Sequence, residues 1–176
     1  NDFANTTRAY IDSAGPVAAE TIAISADSTP ELEAWALGAT IAAGRSGAAS
    51  GVGADAYNEV GNTVEAFIRN SRLVMSFAGS LGPIPVPVSV DIAAEEVASL
   101  EARSVGGSVS VSGKASASIG IALADNDSHS TIRSYLDAVS LWSAGDINVT
   151  ASSQTTLVAL AEFSARLNVW AAIAGA

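Results

Sequence analysis

The 176-residue chain contains no cysteine, one methionine and one histidine, and aromatic residues make up only 6% of it. Without cysteine it has no disulfides, no thiol nucleophile and no thiolate metal ligand. Charged residues make up only 15%, and eight basic against eighteen acidic residues leave a net charge of −10. Such a surface repels phosphate backbones, which argues against nucleic-acid binding. No apolar run reaches the roughly 18 residues of a membrane-spanning helix, so no membrane span is predicted.

Hydrophobic residues nevertheless make up 49% of the sequence, and most of them are alanine, valine and isoleucine. This composition is too apolar for a disordered chain. Because few charges are present to cover the surface, we expect much of it to contact neighbouring repeats or further copies.

Two short signatures each occur three times along the chain. Their spacing fits a unit of 57 residues with 11 extra residues in the middle unit. A fixed period is typical of stacked repeats, so we predict one array over 1–176, with copies 1–57, 58–125 (insertion near 73–87) and 126–176. The first signature is Arg8–Ile11, Glu65–Ile68 and Arg133–Leu136, and the second is Leu32–Ala34, Leu100–Ala102 and Leu157–Ala159.

Within each copy, apolar and polar residues alternate with a period of two, as in Ser108–Ser112, which indicates β-strands. A helix is the alternative for Pro30–Leu37, because Ser28–Glu31 resembles a capping box, and for Asp91–Val105. The matching stretch of the third copy, Ser153–Val158, favours a strand, and stacked copies should share one conformation. We therefore predict an all-β fold, a parallel β-solenoid built from three repeats.

Side chains that share a column should stack across the copies. Small residues recur in interior columns, and a ladder of equal side chains packs without voids. Aromatic side chains recur in one further column, and we expect their rings to stack. The small columns include Ala26, Ala94 and Ala151, and the aromatic column is Tyr10, Phe67 and Tyr135.

The extra residues of the middle copy contain prolines at alternate positions, which cannot join a central ladder. We predict that this segment projects as a contact loop, and a locally buried hairpin is the alternative. The candidate contact residues are Leu73, Met75, Phe77, Pro83, Pro85 and Pro87.

Three motifs give the chain a family resemblance. They are Asn-x-Thr-x-Ala-aromatic-Ile (Asn5–Ile11), Gly-Asp-Ile-x-Val-x-Ala-Ser (Gly145–Ser152) and Leu-x-Ala-x-Ala (Leu157–Ala161). The pattern resembles the repeat regions of giant secreted bacterial β-solenoid adhesins of the filamentous-haemagglutinin-like kind. That resemblance implies a secreted or surface-anchored fibre with no common catalytic residues. The proline-rich insertion departs from it, and no Gly-Gly-x-Gly-x-Asp motif is present to support calcium-driven folding.

No cluster of residues suggests catalysis, so we predict that the protein is not an enzyme and has no cofactor. The single histidine, His129, lies in Asp125–Ser130, which we interpret as a solvated turn. Asp125 and Asp127 could offer oxygen atoms to calcium, but the spacing of a calcium loop is missing. Glu95 and Glu96 would face opposite ways on a strand. The three tryptophans share no column, so we expect them in core or interface packing.

The expected function is structural: a subunit or segment of an extracellular filament or surface matrix, assembled end to end. The chain begins within a repeat, so we expect a processed product or part of a longer protein. The partner would be a second copy in a head-to-tail homopolymer at the cell surface. The alternative is an adhesin or glycan-binding module of a large surface protein. The candidate assembly residues are Ala9, Tyr10, Ile11, Val169, Trp170 and Ile173.

Overall fold

A computed structural model describes residues 1–74, 76–78, 84–86, 88–142 and 144–169. Over these residues the protein is all-β, with parallel sheets and no helix. The two segments for which a helix was the alternative both lie in strands, at Glu31–Gly44 and Val88–Ser112. The strand prediction is therefore confirmed for both. None of the described residues forms a helix long and apolar enough to cross a membrane.

The strands follow each other in three tiers along the chain. The first tier contains β1 (Asp2–Phe3), β2 (Thr6–Asp12), β3 (Pro16–Ala18), β4 (Thr21–Ser28) and β5 (Glu31–Gly44). The middle tier contains β6 (Ala48–Val60), β7 (Thr63–Arg69), β8 (Arg72–Val74), β9 (Ser76–Ala78), β10 (Ile84–Val86) and β11 (Val88–Ser112). The last tier contains β12 (Ser116–Ser128), β13 (Thr131–Asp137), β14 (Ser140–Leu141) and β15 (Ala144–Val169).

Four parallel sheets each take strands from all three tiers, with the middle tier always in the centre. Their orders are β1-β6-β12, β2-β7-β13, β3-β8-β14 and β4-β11-β15, with β5 also paired to β11. The register joins residues that the sequence placed in common columns, such as Tyr10 with Phe67 and Phe67 with Tyr135. Ala94 likewise pairs with both Ala26 and Ala151.

The remaining two strands form the insertion of the middle tier. β9 and β10 pair with each other in an antiparallel hairpin and with no other described strand. Phe77 and Pro85 are partners in this hairpin, whereas Met75, Pro83 and Pro87 lie outside the described residues. Leu73 does not belong to the contact loop that the sequence suggested, because it is fully buried in β8.

The sheets enclose two differently built interiors. We call the first the base, formed by 6–28, 63–74, 88–98, 131–142 and 144–156. We call the second the arm, formed by 1–3, 31–60, 99–128 and 157–169. The base holds one apolar cluster of isoleucine, valine, leucine and alanine. In the arm, β5 and β11 lie face to face with β6 and β12, and the side chains between them are mainly alanine, serine and glycine. The buried members of the base cluster are Ile22, Ile24, Ala26, Val64, Ala66, Ile68, Leu73, Val88, Val90, Ile92 and Ala94.

A left-handed residue ends the second strand of every tier. Ser13, Asn70 and Ala138 have φ angles of 52°, 49° and 50°. Ser13 N donates to Arg69 O at 3.0 Å and Asn70 N to Asp137 O at 3.0 Å, so the corner is bonded across the tiers. The same strained geometry recurs at matching positions, which turns the chain at the same corner each time.

Candidate functional site

The first and last tiers each leave one strand edge unpaired among the described residues. β4 and β5 pair only with β11 on the first-tier side, and β15 pairs only with β11 on the other. Along one column the exposure differs between the tiers: Leu32 in the first tier is 8% exposed, Leu100 in the middle tier 0% and Leu157 in the last tier 50%. Unpaired edges with apolar side chains are surfaces on which a further strand can pair.

Large apolar side chains are exposed in both outer tiers. On the first-tier side they include an exposed aromatic on β2 and a row on the outward face of β5. On the last-tier side both faces of β15 contribute, because no further strand covers that tier among the described residues. These residues are Tyr10, Trp35, Leu37 and Ile41 on one side, and Ile147, Val149, Leu157, Val158, Leu160 and Phe163 on the other.

An asparagine ladder runs through all three tiers. Asn1 Nδ2 donates to Asn58 Oδ1 at 2.8 Å, and Asn58 Nδ2 donates to Asn126 Oδ1 at 3.0 Å. Each amide also donates to a backbone carbonyl of the facing strand, at 2.7 Å for Glu33 O and 2.8 Å for Glu101 O. Asn58 accepts from the first tier and donates to the last, and such a chain of amides fixes the register of successive tiers.

The aromatic column stacks as the sequence predicted. The ring centroids of Tyr10 and Phe67 are 5.1 Å apart at 7°, and those of Phe67 and Tyr135 are 4.9 Å apart at 3°. Since Tyr10 lies on β2, the outer face of its ring is open to a further aromatic side chain.

The candidate assembly residues lie in the two outer tiers. Ala9, Tyr10 and Ile11 belong to β2 in the first tier, whereas Val169 is the last residue of β15. Trp170 and Ile173 lie outside the described residues. Among the described residues, the structure therefore puts Ala9, Tyr10 and Ile11 on one side of the middle tier and Val169 on the other.

Two arginines of the middle tier form ion pairs with carboxylates. Arg69 Nη2 lies 2.5 Å from Asp12 Oδ2, and Arg103 pairs with Glu101. The hydrogen bond from Arg69 holds the pKa of Asp12 below its ordinary value. Asp12 and Arg69 are strand partners, so the repeat register contained this pairing.

The two described tryptophans do not lie in the core. Trp35 is 67% exposed and Trp142 is 59% exposed, whereas Trp170 lies outside the described residues. Arg103 lies over the ring of Trp35 at 5.1 Å, and Arg72 lies over Trp142 at 5.3 Å. Core packing is therefore wrong for both described tryptophans, whose rings stack on arginine at the surface.

Carboxylates form a further column on the outward face of the arm. Asp2 pairs with Glu59, and Glu59 pairs with Asp127. Tyr57 donates its hydroxyl to Glu59 Oε2 at 2.8 Å, and this bond to a carboxylate raises the pKa of Tyr57 to about 12. Asp125, the other calcium candidate, is the strand partner of Tyr57.

The interpretation of Asp125–Ser130 as a solvated turn is wrong for residues 125–128, which belong to β12, whereas His129 follows that strand with an exposed side chain beside the column. Its Nε2 lies 3.6 Å from Glu59 Oε1, and its side chain is 57% exposed. Potential ligand atoms of Glu59, Asp127 and His129 all lie within 4.8 Å of one another. The repeat register puts Asp127 beside Glu59 and His129 beside Gly61, but sequence reasoning did not connect the imidazole with these carboxylates.

Comparisons with family models, with curated proteins and with solved structures found no match for this chain. The resemblance to filamentous-haemagglutinin-like adhesins therefore stays a prediction from sequence motifs.

Proposed function

We propose that the chain is a stretch of parallel β-solenoid with three repeats, one tier to each repeat, and that its role is structural rather than enzymatic. It would form part of an extracellular filament or surface matrix in which copies join end to end. The supporting observation is that the outer tiers carry unpaired strand edges together with exposed apolar side chains.

The asparagine ladder and the aromatic column both support axial joining. The asparagine amides and aromatic rings repeat at one register from tier to tier. A further tier with the same register would extend both ladders and bury the apolar side chains of an outer tier. A second copy presents such a tier from its opposite end, so a heterologous contact propagates into a filament.

The strand edge of β5 gives a direct test. Ser99 N on β11 donates to Pro30 O, so the even-numbered residues of the first-tier strand face β11. Residues of a parallel strand bond alternately to the strands on its two sides. The odd-numbered residues of β5 therefore present their N–H groups to the open edge. Ala39→Pro removes one of these donors and leaves pairing with β11 intact. The matched control, Ala39→Ser, keeps the donor.

The expected result is that the wild type and Ala39→Ser form regular fibres in negative-stain electron microscopy at neutral pH, whereas Ala39→Pro stays in short or discrete particles. Circular dichroism should show the same strand content in all three. A wild-type protein that remains monomeric in light scattering at high concentration would overturn the proposal.

Glycan binding by a surface adhesin is a second candidate, favoured by one observation. Trp35 presents an exposed ring beside the ion pair of Arg103 and Glu101, and sugars stack on such rings while charged side chains bond to hydroxyls. Trp35→Ala should then abolish binding on a glycan array without changing fibre formation. Deleting residues 76–86, which include β9 and β10, tests the insertion in the same assay.

A further inference from the structure

One group of side chains is not used by the structural role and has the composition of a metal site. Glu59 lies on β6 in the middle tier, and its strand partner Asp127 lies on β12 in the last tier. His129 follows β12 directly, and its backbone N–H donates to Val60 O at 2.9 Å. This bond holds the backbone of His129 next to β6, so that its side chain begins beside the two carboxylates.

Space for the imidazole is provided by a glycine. A Cβ atom on Gly61 would lie 2.6 Å from His129 Nε2, so any larger residue at position 61 would displace the ring from Glu59. The imidazole therefore approaches the carboxylates only because the facing position of the middle tier has no side chain.

Glu59 is held in an orientation that leaves one oxygen available. Its Oε2 accepts the hydrogen bond from the Tyr57 hydroxyl at 2.8 Å, while Oε1 faces His129 Nε2 at 3.6 Å. Tyr57 is thus a positioning residue for the carboxylate, since it binds the oxygen that does not face the imidazole.

The neighbouring pair of tiers supplies an internal comparison. Asp2 and Glu59 are strand partners in the same column, but the position that matches His129 is Ala4 in the first tier. The column between the first and middle tiers therefore offers two carboxylates, those of Asp2 and Glu59. The column between the middle and last tiers offers two carboxylates and the imidazole of His129.

We propose that Glu59, Asp127 and His129 bind one divalent cation of the zinc type across the middle and last tiers. An imidazole nitrogen combined with two carboxylates suits zinc, cobalt or nickel, whereas calcium and magnesium prefer oxygen ligands alone. The bound cation would offset the repulsion between stacked like charges and join β6 to β12. The site is independent of filament formation.

Isothermal titration calorimetry of the full chain at pH 7.5 with Zn²⁺ tests this site, and Co²⁺ provides a visible absorption band that reports nitrogen and oxygen ligation. We expect one cation per chain and a Kd at least ~10-fold weaker in His129→Ala and in Glu59→Gln. Asp125→Asn, a neighbouring acidic residue outside the group, is the matched control and should bind like the wild type.

Two results would overturn the proposal. Zn²⁺ binding that is unchanged in His129→Ala would mean attraction to acidic surface residues only. Ca²⁺ binding as tight as Zn²⁺ binding would mean an all-oxygen site of the kind that Asp125 and Asp127 suggested from the sequence. Because His129 is exposed, circular dichroism should show an unchanged fold in that variant, and filament assembly is scored separately by electron microscopy.

Discussion

The base and the arm share long continuous strands, yet their interiors are stabilised by different forces. In the base, β-branched and leucine side chains fill the space between sheets in one apolar cluster. In the arm the facing sheets approach so closely that serine hydroxyls reach the opposite backbone: Ser104 Oγ donates to Ala54 O and Ser110 Oγ donates to Ala48 O, both at 2.8 Å. Two strands, β11 and β15, run through both regions.

The close approach explains the glycines and serines of the arm. A Cβ atom on Gly38 would collide with Val52, and one on Gly120 would collide with the ring of Phe163. At the centre, the hydroxyls of Thr40, Ser50, Ser108 and Ser118 bond to one another, with Ser50 and Ser108 2.6 Å apart. Little apolar area is available there, so hydrogen bonds contribute a larger share of stability than in the base.

The largest effect is expected from a charge in the base. Ala94 is 1% exposed, with strand partners Ala26 and Ala151 on either side. Ala94→Asp would bury a carboxylate without a partner and lower the free energy of unfolding by about 3 kcal/mol or more. Denaturant unfolding checks this, with Ala93→Asp on the opposite face as control. An unchanged stability would mean that this column does not face the core.

The asparagine ladder tests whether hydrogen bonds stabilise the arm. Asn58 is fully buried, and Asn58→Ala removes one of the two acceptors of the Asn1 amide and the donor to Asn126 Oδ1 and to the Glu101 carbonyl. We expect a loss of about 2 kcal/mol in the free energy of unfolding. Asn148→Ala removes an exposed amide that bonds to Asp91 and should change stability by less than ~0.5 kcal/mol. Equal effects in the two variants would refute the ladder's role.

Substitutions at Ser104 test whether the arm interior depends on close packing and hydrogen bonds rather than on apolar filling. Ser104→Val adds volume between closely spaced sheets and removes the hydrogen bond to Ala54 O. We therefore expect the free energy of unfolding to fall by about 1–3 kcal/mol, although valine is more hydrophobic than serine. Ser104→Ala, which removes the bond without adding volume, should cost about 1 kcal/mol. A valine variant more stable than the wild type would show that the arm interior tolerates an apolar filling after all.

Much of this fold follows from the sequence by physical reasoning. The period-two alternation identifies the strands, and the spacing of Tyr10, Phe67 and Tyr135 identifies which residues pair. The division into base and arm does not follow, because it depends on the distance between sheets, which no single column reveals. The imidazole of His129 was not connected with Glu59 and Asp127, because residues 68 apart were compared for similarity and not for complementary chemistry.

Glu96 lies where the base meets the arm, and it carries the smallest expected effect. It is 0% exposed and separates the base cluster from a smaller apolar cluster of Leu32, Val60, Ala98 and Leu100. Its Oε1 accepts from Asn62 Nδ2 at 2.8 Å and from Ser130 Oγ at 2.9 Å, whereas Oε2 has no hydrogen-bond partner in the described part of the chain.

Glu96→Gln keeps the accepting oxygen and removes a carboxylate from the interior, so the free energy of unfolding at pH 7 should stay equal or rise by up to ~1 kcal/mol. Glu96→Leu is the contrasting change, because it leaves the Asn62 amide and the Ser130 hydroxyl without an acceptor and should cost about 1–3 kcal/mol. Thermal unfolding of both variants measures the difference. A glutamine variant that is clearly less stable than the wild type would mean that the charge of the Glu96 carboxylate stabilises the junction. The two interiors would then be joined by an electrostatic contact rather than by the Asn62 amide and the Ser130 hydroxyl that bond to Oε1.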